Sequence, residues 1–136
     1  MSFQAIYYRD SAGREPVSDG IDTLDGACQD SIDRYIGLLN RLDETNPELP
    51  YPYSSGIRTP KYRAFRELRP DCGRTHYRII FRRSEDFFIL LHIILNKTDD
   101  IPEVDLKLAS DRWDDFKVRM DAMPRKRPRA MGHDAP

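Results

Sequence analysis

No stretch of this chain is apolar for long enough to cross a membrane. The longest such run, Phe87 to Leu91 continued through His92 to Leu95, falls well short of the roughly 18 residues a spanning helix needs. Cysteine is scarce: Cys28 and Cys72 stand far apart with no CxxC spacing, which argues against a zinc ribbon or a disulfide framework and reads them as free thiols, one on a helix and one in a turn. Histidine is limited to His76, His92 and His133, which are too few and share no ligand-type spacing with carboxylates, so no metal or other cofactor is expected. The seven glycines form no phosphate-cradling loop, and neither GxSxG nor HExxH is present. The N-terminus lacks a basic segment followed by an apolar one. It therefore reads as having no signal peptide, and the expected location is the cytoplasm.

What is present is one domain's worth of chain. Its 136 residues are 39% hydrophobic and 33% charged, a balance that suits a globular core and excludes a disordered chain. The net charge of −1 conceals an uneven distribution. Residues 1–60 carry five arginines against ten acids, residues 61–98 nine basic residues against four acids, and residues 99–136 eight against nine. A basic centre lies between two more acidic flanks.

Periodicity orders the elements. Phe3 to Tyr8 alternates as a strand. Glu15-Pro16 opens a short helix with Val17, Ile21 and Leu24 on one face. Asp25-Gly26 breaks it, and a longer helix carries Cys28, Ile32, Tyr35 (or Ile36), Leu39 and Leu42 before Asn46-Pro47. The Pro- and Tyr-rich segment from Leu49 to Gly56 reads as a stiff, ordered connection. Strands follow at Arg63–Arg69, Thr75–Arg83 and Phe87–Leu95, with Pro70–Gly73 as a turn between the first two. The last strand is apolar on both faces and should be central. Asp99-Asp100-Ile101-Pro102-Glu103 starts a helix whose Leu106, Ala109, Trp113, Phe116 and Met120 form a clean stripe. Residues 123–136 read as a disordered basic tail, leaving residues 1–122 as the domain. The order β-α-α-β-β-β-α predicts an α+β fold: two N-terminal helices packed on a small, mostly antiparallel sheet, with a C-terminal helix.

The chemistry concentrates between Arg63 and Lys97. Alternation sets His76, Arg78 and Arg82 opposite Tyr77, Ile79 and Phe81. If the two helices take the Tyr77 face, the arginine face stays open, and Arg63 and Arg69 of the neighbouring strand join it. Planar, permanently charged guanidinium groups on a rigid sheet suit phosphate oxygens; a solvated strand face with ion pairs accounts for the same pattern. A histidine beside Arg78 is disposed to act as a neutral base or donor, whereas His92, among Phe88, Leu90 and Ile94, reads more readily as a hydrogen-bonded core residue.

An ordered set of short motifs carries a family resemblance: Tyr7-Tyr8-Arg9, Arg14-Glu15-Pro16-Val17, Leu49-Pro50-Tyr51-Pro52, Phe65-Arg66-Glu67-Leu68-Arg69, Thr75-His76-Tyr77-Arg78-Ile79, His92, Asn96-Lys97-Thr98 with Ile101-Pro102, and Ala109 to Trp113. Over about residues 3–122 the chain resembles the phage-derived Gp49-like toxins, which are related to the HigB branch of the RelE/ParE superfamily. The resemblance implies a RelE/ParE-like fold and the toxin half of a type II toxin–antitoxin pair. It further implies metal-free cutting of mRNA on the ribosome, in which the substrate's 2′-OH attacks the adjacent phosphate. Arg78 would then stabilise the phosphate, supported by Arg69 and Lys97. His76 or His92 would move the proton, and Arg63, Arg66, Arg74 and Arg82 would contact RNA. The implied partners are a helix-turn-helix antitoxin, through which alone operator DNA is met, and mRNA on the ribosome, with no membrane. Two other activities stay open: a ParE-like toxin that binds a protein target, and a degenerate member that only binds its antitoxin.

Overall fold

The computed structural model describes residues 2–95 and 100–122 together with Gly132, His133 and Ala135. Strand β1 (Gln4–Tyr7) is followed by helices α1 (Pro16–Asp22) and α2 (Gly26–Leu39). Then come β2 (Ser54–Gly56), a 3-10 turn at Pro60–Tyr62, β3 (Arg66–Leu68), the two short strands β4 (Asp71–Cys72) and β5 (Thr75–His76), the long β6 (Arg78–Ser84) and β7 (Phe87–Ile94), and helix α3 (Glu103–Ala122). The class is α+β, as the element order predicts.

Five strands form one mixed sheet in the order β1-β7-β6-β3-β2, and β4 and β5 make a separate hairpin. The pairs β7–β6, β6–β3 and β3–β2 are antiparallel, while β1 runs parallel to β7. The β4–β5 turn uses Gly73 at φ +60°, a backbone conformation that costs glycine little. The outward amides of β1 and of Phe3, just before it, are satisfied. The Phe3 N–H donates to the Leu42 carbonyl (2.7 Å), that of Ala5 to Asn40 Oδ1 (2.7 Å) and that of Tyr7 to the Gly132 carbonyl (2.9 Å).

Apolar alternation divides the core into two layers. Tyr77, Ile79 and Phe81 of β6 pack with Val17 and Ile21 of α1 and with Ile32, Ile36 and Leu39 of α2. On the other face, Ile80, Ile89 and Leu91 pack beneath Leu106, Ala109, Trp113 and Phe116 of α3. Helix α2 begins at Asp25, whose side chain accepts from the Cys28 N–H (2.9 Å), a standard N-terminal cap. It stops at Leu39, short of the expected Asn46-Pro47 boundary.

Three expectations are corrected here. The arginine face is not left open: α3 covers much of it, because its own apolar stripe needs a partner and the sheet's second face is the one available. The strand expected over Arg63–Arg69 shortens to Arg66–Leu68, with Arg63 on the surface just after the 3-10 turn. The cysteines are not free thiols: Cys28 of α2 and Cys72 of β4 are joined in a disulfide across a separation of 44 residues. At the end of the segment read as a tail, three residues are described and lie against the domain. His133 Nδ1 is 2.5 Å from Glu15 Oε1, its ring sits 5.0 Å from that of Tyr7, and Ala135 is buried. Residues 123–131 lie outside the described ones.

Candidate functional site

Where α3 begins, it leaves the β2–β3 end of the sheet uncovered, and a cleft of about 600 Å³ opens there. Its floor is Glu67 of β3 and Arg78 of β6. Its walls are Tyr51 and Ser55 on one side, Arg69 and His76 on another, and Ile101 and Leu106 at the head of α3. The head of that helix is fixed by the Tyr62 hydroxyl, which donates to Glu103 Oε1 (2.7 Å).

Backbone parity explains the arrangement. Glu67 pairs with Ile80 in the sheet, and both point to the α3 side. Arg78, two residues from Ile80, shares that side, as does Arg69, two residues from Glu67. The side chains of Arg78 and Glu67 are each only 9% exposed. Arg78 Nη1 donates to the Tyr77 carbonyl (2.6 Å) and reaches Asp71 Oδ1 (3.4 Å). Its Nε lies 3.9 Å from Glu67 Oε1 and has no hydrogen-bond partner. A buried donor left without an acceptor is costly unless a ligand supplies one. Glu67 Oε1 is in contact with Arg69 Nη1 and accepts from Ser55 Oγ (3.0 Å).

His76 enters from the β4–β5 hairpin. Its Nδ1 bonds Asp71 Oδ1 (2.8 Å), which leaves Nε2 for a ligand. Partial burial opposes ionisation of Asp71, but hydrogen bonds and charge from His76 and Arg78 outweigh it and hold the carboxyl below its ordinary range. The hairpin is tied to α2 twice, by the disulfide at Cys72 and by Ser31 Oγ, which donates to the Asp71 carbonyl (2.7 Å).

The structure thus brings Arg69, Arg78 and His76 into one cleft. The other site residues expected from sequence lie elsewhere. Arg66 points to the opposite face, bonded to Glu48 (2.8 Å) and to Ser54 Oγ (3.3 Å). The Arg82 guanidinium stacks on Trp113 (4.3 Å) and Phe65 (5.2 Å), and burial pushes its pKa below the ordinary value. Arg63 and Arg74 are exposed outside the cleft lining, Arg74 at the hairpin tip. His92 bridges β7 to α3, with Nε2 2.7 Å from Asp105 Oδ1 and Nδ1 3.4 Å from Arg112 Nη1. It is a satisfied linking residue and no part of the cleft. Lys97 lies outside the described residues.

Sequence reading passed over Glu67, Asp71, Ser55 and Tyr51. The signal for Glu67 was available, since Glu67 and Arg69 share parity in a strand, whereas Asp71 reads locally as a turn residue. Together these groups can hold an oxyanion on two guanidinium groups and offer one carboxylate and one imidazole for proton transfer.

Among the described residues no helix is long and apolar enough to cross a membrane. Compared with known proteins, residues 20–114 match the family model described as phage-derived protein Gp49-like (DUF891). No curated protein matches the chain.

Proposed function

The chain belongs to the family of phage-derived Gp49-like proteins, and from that membership and the cleft together we propose that it is the toxin of a type II toxin–antitoxin pair and an mRNA endonuclease acting on the ribosome. The observation that carries this reading is the meeting of Arg69, Arg78 and His76 around the buried Glu67.

In the proposed step the substrate's 2′-oxygen forms a bond to the adjacent phosphorus, and the bond from phosphorus to the 5′-oxygen breaks. The Glu67 carboxylate takes the 2′-OH proton. His76, protonated and held through Nδ1 by Asp71, gives a proton from Nε2 to the departing 5′-oxygen. Charge gathers on the phosphoryl oxygens in the transition state, and the guanidinium groups of Arg78 and Arg69 offset it from fixed positions. Arg78 Nε, without an acceptor in the free protein, gains one there. Products are a 2′,3′-cyclic phosphate and a 5′-hydroxyl. The antitoxin of this reading is a small helix-turn-helix protein, and operator DNA is met only through it.

One observation favours a second reading. Arg69, Arg78 and His76 each already face a carboxylate, so the free cleft is close to internally neutral. That suits a non-catalytic member, which binds a protein partner and cuts nothing.

The test is expression of the chain without an antitoxin. Growth arrest with cuts in translated mRNA, ending in cyclic phosphate and 5′-hydroxyl, is expected. His76→Ala and Glu67→Gln should abolish the cuts while the purified variants keep the native circular dichroism spectrum. Arrest with intact mRNA, or no arrest, would favour the non-catalytic reading.

A further inference from the structure

The cleft carries an exposed aromatic ring that the proposed phosphate chemistry does not use. Tyr51 is 71% exposed, and it lines the cleft at its rim. Isolated exposed apolar residues are ordinary on protein surfaces, so exposure alone argues nothing. Three further facts do. The ring lies against the Arg69 guanidinium at 5.2 Å, so its position is fixed relative to a cation of the site. The segment that bears it is held from both ends: prolines 50 and 52 flank the residue, and the Pro50 carbonyl accepts from the N–H groups of Tyr53 (3.1 Å) and Ser54 (3.2 Å). The backbone that carries the ring is therefore presented with little conformational freedom left to lose on binding. Tyr53, its neighbour in sequence, packs instead on Tyr35 of α2 at 5.9 Å and does not line the cleft.

We infer that Tyr51 is a stacking platform for one unpaired base of single-stranded RNA, next to the phosphate that Arg69 and Arg78 hold. The inference rests on the RNA reading of the cleft and specifies the form of its substrate. A base in a duplex has both faces covered by its neighbours, whereas an unpaired base can lay one face on an aromatic ring. Arg69 on one side of the ring and the base on the other make a layered cation–aromatic–base arrangement, which stays sequence-tolerant because every base has a π-face. Tyr51 thereby sets the register of the strand, placing one nucleotide against the ring and the neighbouring phosphate over Arg78.

The experiment measures binding of a short fluorescent oligoribonucleotide by anisotropy, with a 2′-O-methyl group at every position to block the attacking 2′-oxygen and so prevent cutting. The panel is the whole protein, Tyr51→Ala and Tyr51→Phe, and the ligands are the single strand, its duplex and strands with one abasic position. Tyr51→Ala should weaken single-strand binding roughly 5- to 150-fold, the range found for loss of one base–aromatic stack. Tyr51→Phe should stay within about threefold. The wild type should lose affinity at one abasic position to which Tyr51→Ala is indifferent, and the slope of affinity against salt should be the same for both, because phosphate contacts are untouched. The duplex should bind more weakly than the single strand. Equal binding by wild type and Tyr51→Ala, or equal binding of duplex and single strand, would overturn the assignment of Tyr51 and leave the RNA reading standing. Failure of the wild type to bind any of these strands would likewise overturn the assignment of Tyr51, whereas the ribosome-dependent reading stands or falls on the cuts in translated mRNA.

Discussion

Opening the Cys28–Cys72 bond tests how the cleft is held. The bond closes a loop across a separation of 44 residues, and the entropy removed from the unfolded chain by such a closure corresponds to about 4 kcal/mol at 25 °C. For a chain of this length that is a fall in melting temperature of roughly 10–15 °C. The assay is thermal unfolding of the purified protein with and without a dithiol reductant, alongside the Cys28→Ser/Cys72→Ser variant, which should melt with the reduced protein. Thiol titration fixes the starting state: no reactive thiol is expected before reduction and two after. There is a consequence for the site too. Cys72 adjoins Asp71, and Asp71 bonds both His76 and Arg78. Reduction leaves Ser31 as the remaining tie between α2 and that strand, so the His76 ring should change its NMR chemical shifts. Coincident melting curves, or two reactive thiols in protein never exposed to reductant, would refute the argument. Because disulfides are rare where thiols are kept reduced, the same titration on protein taken directly from cells bears on the compartment in which the chain works.

Glu67→Ala should destabilise the fold by about 1–3 kcal/mol in urea unfolding, since it leaves the buried Arg78 guanidinium with Asp71 as its remaining carboxylate neighbour. Glu67→Ala combined with Arg78→Met should recover much of that loss, and a double variant no more stable than the single one would contradict it. Trp113→Ala removes a buried ring that also carries the Arg82 guanidinium, and a loss of about 3–5 kcal/mol is expected in the same assay. The Asp71 carboxyl is held below its ordinary value, so the unfolded state takes up its proton first as pH falls. Its contribution is present above the ordinary carboxylate pKa of about 3.9 and is lost as pH drops through the lower folded value. Asp71→Asn should therefore flatten the stability profile below about pH 4 relative to wild type, and identical acid limbs would contradict it.

Much of the scaffold was legible because burial imposes a period. The stripe from Leu106 to Phe116 and the alternation of Tyr77, Ile79 and Phe81 are demands for a partner surface, and both are met. The fate of the arginine face was misread because alternation says which residues share a side and not what covers it. A hint was nevertheless present: β7 is apolar on both faces, and a strand of that kind needs a layer on each side. Among the site residues, parity separated Arg66 from Arg69 and Glu67 and brought the latter two together. It could not reveal that Arg82 spends its side chain on Trp113, or that Asp71 reaches His76 and Arg78, because those contacts depend on the path of a hairpin and on a helix distant in sequence. The cysteine pairing was illegible for the same reason, as a separation of 44 residues has no local signature.

The saturation of β1 reaches beyond stability. With Leu42, Asn40 and Gly132 each occupying one of the outward amides of Phe3 and β1, that margin of the sheet offers no template to a second molecule. The opposite margin is the three-residue β2, whose Ser55 borders the cleft. A protein that recruited this sheet by adding a strand would have to dock at β2, and in doing so would stand at the mouth of the cleft, so that one geometric event would join recognition to obstruction.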